Sequence, residues 1–308
     1  MVSDLFDKAT FQLKIKKEEI KGKRANFDDK HFWSGEDGRN ANNGKQSRAH
    51  AWAGALMENH NSPELKTDAP EISLVIPCYN EEGNLRKLVK SIFAALEPLQ
   101  ISHEIVITDD CSQDGSWEAL KELATGDPRV RAQRFAVNRG KSAAAWAGMQ
   151  ASRGRHIVTL DADLQNDPQD VPGLLAALRD FDCANGTRVA SRKHGDNFIR
   201  IASSRIANWV RNKLSGENIS DAGCGIRAFK RECIANLKVF EGMHRFMPTL
   251  FKMEGYTVTE VPVNNHPRFT GQSKYCVWNR LFVSFYDLLA VRWMKRRMLK
   301  YDIVESFN

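Results

Sequence analysis

The stretch that decides the fold is RHIVTLDADLQ, residues 155–165. Residues 155–160 form an apolar run typical of a buried strand, and Asp161, Asp163 and Gln165 follow it directly. Carboxylate and amide oxygens suit a hard divalent cation, Mg²⁺ or Mn²⁺, which keeps open positions for substrate phosphates. Asp is also common in turns, so the triplet alone supports a merely structural role equally well. The surrounding pattern has to decide between the two.

Strand and helix patterns alternate on both sides of this stretch. The predicted strands cover residues 72–77, 103–108, 130–135 and 155–160, and the predicted helices cover residues 85–96, 117–123, 143–149 and 171–181. Such alternation implies right-handed crossovers and a mostly parallel sheet with helices on its faces. Ligands of such sheets bind beyond the carboxyl ends of the strands. We therefore expect an α/β fold with a ligand site at that edge.

Composition divides the chain into three parts. Residues 1–69 are poor in branched apolar side chains and rich in polar ones, so we expect a largely flexible extension. Within it, Trp33 and Trp52 are either anchors on the main body or exposed aromatics. Residues 70–275 contain the alternating pattern, and residues 276–308 are expected to form a C-terminal amphipathic basic helix.

Charge and cysteine content narrow the class of protein. The formal net charge is +7 over 308 residues, which favours an anionic partner such as nucleic acid, an acidic membrane surface or a phosphorylated substrate. The six cysteines form no Cys-x-x-Cys pair, which argues against a zinc ribbon and for reduced thiols in the cytoplasm. No run reaches the roughly 18 apolar residues that span a bilayer. We expect a chain that is soluble or peripheral on the cytoplasmic face of a membrane.

Polar turns also follow the first two predicted strands. The residues of interest in these turns are Pro77, Tyr79, Glu81 and Asp110. A carboxylate here can accept a hydrogen bond from a base or a ribose hydroxyl, and an aromatic ring can cover a base. Helix capping by Ser112 or Asp114 is the competing explanation. Because separate strands all end in acidic turns, we favour the ligand role.

A lysine opens the helix after the third predicted strand. Residues 138–142, NRGKS, suggest a P-loop, but that motif needs a glycine where Phe135 stands. The P-loop interpretation therefore fails on spacing. Lys141 still lies at a predicted helix start, where anions are favoured, and could face a phosphate.

Four motifs occur in a fixed order along the chain. They are Pro-x-Tyr-Asn-Glu-Glu at 77–82, Asp-Asp-x-Ser-x-Asp-Gly at 109–115, Asn-x-Gly-Lys at 138–141 and Asp-Ala-Asp-Leu-Gln at 161–165. In that order they resemble the family 2 glycosyltransferases of the GT-A fold. Within the family, the chain is most similar to the polyprenyl-phosphate branch, of the dolichol-phosphate mannose synthase type. The resemblance covers residues 72–275 and implies a Rossmann-like, mostly parallel sheet.

The resemblance also implies a donor site. Pro77, Tyr79 and Glu81 would line the base and ribose pocket of a UDP- or GDP-linked sugar, and Asp110 would contact the nucleoside. The metal, Mg²⁺ or Mn²⁺, would be held on the donor's diphosphate by Asp161, Asp163 and Gln165. Residues 220–229 resemble the acceptor-side loop, and residues 268–275 resemble the C-terminal Arg-x-x-Gly-x-Ser-Lys-Tyr segment. A Gln-x-x-Arg-Trp motif of processive members is absent, which disfavours polymer synthesis.

The implied acceptor is a polyprenyl phosphate, which is already anionic and needs no strong base. Arginines following the metal strand are then expected to hold it, foremost Arg188 and Arg205, although a solvated basic face is the alternative. Asp221 is the candidate for orienting the acceptor or acting as a residual base. Arg268 and Lys274 would add positive charge over the diphosphate. Direct attack by the acceptor would invert the anomeric configuration.

Two apolar stripes are candidates for membrane contact. One runs from Phe198 to Val210, and the other from Trp278 to Leu289, ahead of a basic stretch at 292–300. The second indicates an interfacial helix with a basic flank. Packing on the domain, or on a second copy in a homo-oligomer, is the competing explanation.

Other functions remain open at this stage. The acceptor could instead be a protein, a small molecule or a saccharide. A regulator that binds a nucleotide sugar without turnover is a second alternative, which the intact Asp161, Asp163 and Gln165 disfavour. Nucleic-acid binding ranks last, because no recognised motif accompanies the basic charge.

Overall fold

The structure, a computed structural model, describes residues 69–189, 211–214, 216–267, 277–299 and 305, and for 277–282 the backbone alone. The expected extension over residues 1–69 therefore lies outside the described residues except for Ala69, and so does the apolar stripe at 198–210. In the described residues a seven-stranded sheet has the order β3-β2-β1-β4-β6-β5-β7. Its strands are β1 (Ile72–Cys78), β2 (His103–Asp109), β3 (Val130–Arg134), β4 (His156–Thr159), β5 (Cys183–Thr187), β6 (Arg227–Lys230) and β7 (Val258–Pro262).

The helices flank this sheet. They are α1 (Glu82–Leu96), α2 (Ser116–Gly126), α3 (Lys141–Ala151), α4 (Val171–Ala177), α5 (Met247–Met253) and α6 (Val277–Arg297). The prediction of a mostly parallel α/β sheet is confirmed, with the expected strands and helices in the expected order up to α4. Helix α4 ends at Ala177, not at residue 181, because the chain turns there to begin β5. No helix in the described ranges combines the length and apolarity that crossing a bilayer requires.

The two faces of the sheet carry separate apolar cores. Alternate residues of β1 point to opposite faces, so Leu74 and Ile76 join one cluster with Leu85 of α1, while Val75 joins the other. In that second cluster the rings of Phe229 on β6 and Phe251 on α5 lie 5.0 Å apart. Both faces are therefore covered, as a parallel sheet requires.

Strand register brings the polar turns to one edge. Cys78 of β1 pairs with Asp109 of β2, and Val75 pairs with Thr159 of β4, all in parallel. The segments that follow β1, β2 and β4 consequently leave the same edge of the sheet. Strand β6 runs antiparallel to β4, with Thr159 opposite Arg227, so the segment that precedes β6 reaches this edge as well.

At the opposite edge, Glu104 of β2 is buried and ionised. Its carboxylate accepts from Ser73 Oγ at 2.7 Å, Arg131 Nη1 at 2.9 Å and the Arg153 N–H at 2.6 Å. Burial alone would raise the pKa of Glu104, but these bonds outweigh it and hold the pKa below its usual 4.5. The carboxylate thus links β1, β2 and β3 to the segment after α3.

We predict that Glu104→Gln lowers the free energy of unfolding by about 1–3 kcal/mol at neutral pH, since the buried donors lose a charged acceptor. Because the pKa is lowered in the folded state, the contribution of Glu104 is full above its ordinary 4.5 and is lost as pH falls through the folded value. Urea unfolding of both proteins at successively lower pH should show the difference shrinking below 4.5. Glu122→Gln, at an exposed pair with Arg86, is the control and should cost less than about 1 kcal/mol. A difference that grows on acidification would contradict the prediction.

Candidate active site

The loop after β4 carries the predicted metal ligands. Asp161 is half-buried, Asp163 is buried, and Gln165 is half-buried. Asp163 Oδ1 accepts from the Gln165 N–H at 3.2 Å, and the Gln165 carbonyl accepts from the His266 N–H at 3.0 Å. Leu164 between them has a φ of 59°, a conformation uncommon outside glycine and asparagine. The loop is therefore a tight turn bound to the segment that follows β7.

Lys141 forms an ion pair with the first of these carboxylates. Its Nζ lies 2.6 Å from Asp161 Oδ1. Burial opposes ionisation of Asp161, but the charge and hydrogen bond of Lys141, with a smaller contribution from Arg227, outweigh it and lower its pKa. The sequence predicted that Lys141 faces a phosphate, and the structure shows it beside the carboxylate expected to hold the metal on that phosphate.

The segment before β6 packs directly against Asp161. A Cβ added at Gly225 would lie 2.4 Å from Asp161 Oδ2, so a side chain at this position would displace the carboxylate. The Gly225 carbonyl accepts from Thr159 Oγ1 at 3.1 Å. These contacts join residues 220–229, the predicted acceptor-side loop, to the predicted metal edge.

Arg227 and His244 also belong to this site, and the sequence did not indicate either role. Arg227 is buried and donates from Nη1 to the His244 carbonyl at 2.8 Å and from Nη2 to the Cys224 carbonyl at 2.6 Å. The His244 ring nitrogen Nδ1 lies 2.7 Å from Ser142 Oγ, although 102 positions separate the two residues. Burial, then the charges of Lys141 and Arg245, lower the pKa of His244 to about 3, so its imidazole is neutral.

Arg188 and Asp221 form a two-pronged ion pair. Arg188 Nε lies 2.8 Å from Asp221 Oδ2 and Nη2 lies 3.1 Å from Oδ1, with both side chains largely buried. Burial opposes the charge of Arg188, but the pairing with Asp221 outweighs it and raises the pKa of the guanidinium. The Glu260 carboxylate accepts from the Ser220 and Asp221 N–H groups at 2.9 to 3.2 Å. Asp221 is therefore placed to orient Arg188.

The turns after β1 and β2 lie at the same edge and bind one another. Ser112 Oγ accepts from the Asn80 N–H at 2.9 Å, so Ser112 joins the two turns and does not cap α2. Asp114 accepts from the Ser116 N–H at 3.0 Å and from the Glu82 N–H at 3.3 Å. The capping explanation therefore accounts for only part of this acidic cluster.

The predicted nucleoside-side residues occupy these turns. Pro77, Tyr79 and Glu81 are all half-buried, and Glu81 Oε2 accepts from Asn84 Nδ2 at 2.6 Å. Asp110 is buried, and its two carboxylate oxygens accept from the N–H groups of residues 139 and 140 at 2.6 and 2.8 Å. Asp110 thereby binds the loop that leads into Lys141.

The other predicted site residues lie outside the described ranges. They are Arg205, Arg268 and Lys274. Among the residues that the structure describes, no group of three or more His, Cys, Asp or Glu side chains converges as a metal cluster. The predicted ligand set contains two carboxylates and an amide, so this finding is compatible with it.

Known proteins with similar sequences show which family the chain belongs to. The model of the family described as glycosyl transferase family 2 matches residues 73–237. An undecaprenyl-phosphate 4-deoxy-4-formamido-L-arabinose transferase of Aeromonas hydrophila is 33% identical over 226 residues, which cover 73% of this chain and 68% of the relative. A dodecaprenyl-phosphate galacturonate synthase of Rhizobium johnstonii is 34% identical over 231 residues, with the same coverage of both chains.

Solved structures with low sequence identity share the fold. The mannosyltransferase PcManGT of Pyrobaculum calidifontis, in complex with GDP-Man and Mn²⁺, is 17% identical with a TM-score of 0.53, over 83% of this chain and 73% of that one. Glucosyl-3-phosphoglycerate synthase of Mycobacterium tuberculosis, in complex with Mn²⁺, UDP and phosphoglyceric acid, is 18% identical with a TM-score of 0.55, over 75% and 80%. The fold is that of the GT-A glycosyltransferases, and the chain belongs to glycosyl transferase family 2.

Proposed function

We propose that this protein transfers a sugar from a nucleotide-sugar donor to a polyprenyl phosphate, with inversion at the anomeric carbon and with Mg²⁺ or Mn²⁺ as cofactor. The relatives that match most of the chain are named for undecaprenyl- and dodecaprenyl-phosphate acceptors. The observation that carries the proposal is the ionised Asp161, set between Lys141 and Gly225 at the edge where Asp163 also lies.

The donor set fits a hard divalent cation. Asp161 and Asp163 supply carboxylate oxygens and Gln165 supplies an amide oxygen, which are ligands that Mg²⁺ and Mn²⁺ prefer. The lowered pKa of Asp161 keeps it anionic, and the missing side chain at Gly225 lets the carboxylate lie against the segment before β6. When bound there, the cation would neutralise the charge that develops on the departing diphosphate.

The chain's own cations act on the donor side. The Lys141 ammonium, 2.6 Å from Asp161, lies at the N-terminus of α3, where a phosphate would also meet backbone N–H groups. Arg227 adds a buried positive charge close enough to lower the pKa of Asp161. The nucleoside would lie against Pro77, Tyr79 and Glu81, with Asp110 setting the loop that presents Lys141.

The acceptor side needs orientation more than proton removal. A phosphate monoester is anionic near neutral pH, so its oxygen attacks the anomeric carbon while the bond to the donor's diphosphate breaks, and no proton has to be abstracted. Arg188, held by two bonds to Asp221, has the fixed planar geometry that suits phosphate recognition. Asp221 therefore serves to orient Arg188, and Arg205 is the second arginine proposed for the acceptor.

A lipid acceptor requires the protein to reach a membrane surface. Helix α6 has an exposed face that could make this contact. Its buried face packs Leu288 and Val291 into the core. Its other face exposes large apolar side chains followed by basic ones: Phe285, Tyr286, Leu289, Trp293, Arg296 and Arg297. An apolar helix face with a basic end matches the chemistry of an anionic bilayer surface. We propose that this face lies on the cytoplasmic leaflet.

We predict that Asp163→Ala reduces sugar transfer by about a hundredfold or more, because it removes a ligand for the charge-stabilising cation. The assay is incubation with Mn²⁺, undecaprenyl phosphate and a panel of radiolabelled UDP- and GDP-sugars, followed by extraction into organic solvent. Asp180→Ala, at an exposed position near the end of α4, is the control and should retain full activity. Unchanged transfer by Asp163→Ala would refute the metal assignment, and a labelled product confined to the aqueous phase would refute the lipid acceptor.

We predict that Lys141→Met has opposite effects on Mn²⁺ and on nucleotide. Without nucleotide, Mn²⁺ should bind about fivefold more tightly, since the loss of a half-exposed ion pair with Asp161 removes a competing cation worth about 1 kcal/mol. UDP or GDP in the presence of Mn²⁺ should bind more weakly, because a cation for the phosphates is lost. Electron paramagnetic resonance of Mn²⁺ and calorimetry measure the two affinities, with Lys121→Met as the control. Weaker Mn²⁺ binding in the variant would show that Lys141 does not compete for Asp161.

We predict that replacing Leu289 and Trp293 together with Ser lowers partitioning onto anionic vesicles by about a hundredfold, since two apolar side chains lose their burial in the interface. Flotation with vesicles rich in phosphatidylglycerol measures the partitioning, and neutral vesicles test the part played by Arg296 and Arg297. Phe181→Ser alters an exposed aromatic away from α6 and should leave flotation unchanged. Equal flotation of wild type and the double variant would exclude this face.

A further inference from the structure

The turn at residues 242–245 touches both the donor edge and α6. On the donor side, the Gly242 N–H donates to Ser142 Oγ at 2.9 Å, and the same hydroxyl lies 2.7 Å from His244 Nδ1. Ser142 directly follows Lys141, whose ammonium pairs with Asp161. The Ser142 hydroxyl thus bonds the turn to the start of α3 at two points.

A second contact connects the turn to the segment before β6. Arg227 donates from one nitrogen to the His244 carbonyl and from another to the Cys224 carbonyl. Cys224 precedes Gly225, which packs against the Asp161 carboxylate. A displaced turn would therefore disturb Asp161 from both sides, through Lys141 and through Gly225.

On its other side, the turn is bound to α6 by Asp287. Arg245 Nη2 lies 2.8 Å from Asp287 Oδ2, and Arg245 Nη1 donates to Ser284 Oγ at 2.6 Å. Gly242 has a φ of +93°, and a Cβ there would lie 2.4 Å from Asp287 Oδ2. The carboxylate is therefore packed against the backbone of the turn as well as bonded to its arginine.

We infer that Asp287 is a positioning residue for the donor site: by holding Arg245 and the 242–245 turn, it keeps Lys141 and Asp161 in the geometry that binds the metal–diphosphate group. The inference deepens the proposed function and rests on it. Asp287 lies on the helix proposed to contact lipid, so one helix carries both a surface face and a support of the donor site. Its carboxylate acts through Arg245, and no contact with substrate is needed.

Two further polar contacts of α6, among the residues that the structure describes, are made with other segments than the turn. Lys295 pairs with Glu217 at 2.6 Å, and Glu217 also lies 3.1 Å from Lys252. Arg292 donates to the Leu214 carbonyl. Loss of the Glu217 pair would therefore loosen the same helix without touching Arg245, which makes Glu217→Gln a matched control for Asp287→Asn.

The experiment compares wild type, Asp287→Asn and Glu217→Gln in the full-length chain. Calorimetry measures UDP and GDP affinity with Mn²⁺, thermal unfolding measures stability, and hydrogen exchange measures protection of the Gly242 amide. We expect Asp287→Asn to weaken the Mn²⁺-dependent nucleotide affinity about tenfold and to speed exchange at Gly242. Glu217→Gln should lower the melting temperature while changing neither the affinity nor the exchange at Gly242. If Asp287→Asn does not fold, Arg245→Gln removes the same pair from the other side.

Each result bears on a different claim. Equal losses of affinity in both variants, or an unchanged affinity in Asp287→Asn, would overturn the positioning role while leaving the proposed function intact. A wild type that binds neither nucleotide with Mn²⁺ would overturn the proposed function. In that case, the exchange rate of Gly242 still shows whether Asp287 holds the turn.

Discussion

The proposed metal site depends on keeping one carboxylate, that of Asp161, ionised at a partly buried sheet edge. Removing a charge from water is costly unless opposite charge and hydrogen bonds compensate it. Lys141 supplies a direct ion pair and Arg227 a buried positive charge, and together they lower the pKa of Asp161 despite its burial. Each contributing residue comes from a different part of the chain, so the fold has to bring α3, β4 and β6 together before the site exists.

The directions of the strands in the mostly parallel sheet bring these segments together. Strands β1, β2 and β4 run the same way, so the turns that follow them meet at one edge. Strand β6 runs the other way, which makes the segment before it, and not the one after it, approach Asp161. The glycine at position 225 lets the Asp161 carboxylate stay where it lies, since a side chain there would displace it.

Some residues of the site can therefore be predicted from the local sequence pattern, whereas others are placed there only by the topology of the sheet. The apolar runs of β1 to β4 and the acidic turns after them are visible in the sequence, which is why the fold class and the positions of Asp161 and Asp163 could be predicted. Strand β5, with the sequence CANGT, lacks a branched apolar run, and no periodicity marks it. Arg227 and His244 acquire their roles only through contacts between distant segments, such as the bond spanning 102 positions between Ser142 and His244.

Compensation of buried charge also distinguishes the two sides of the proposed site. On the proposed donor side, Lys141 and Arg227 place positive charge near Asp161, and a divalent cation would add to it where a diphosphate develops negative charge. On the proposed acceptor side, Asp221 compensates the charge of the buried Arg188 and fixes the plane of its guanidinium group. An arginine neutralised in this way attracts an anion less strongly than a lone one, but it is already oriented when the acceptor arrives. Orientation, not proton transfer, is what an anionic phosphate nucleophile requires of the protein.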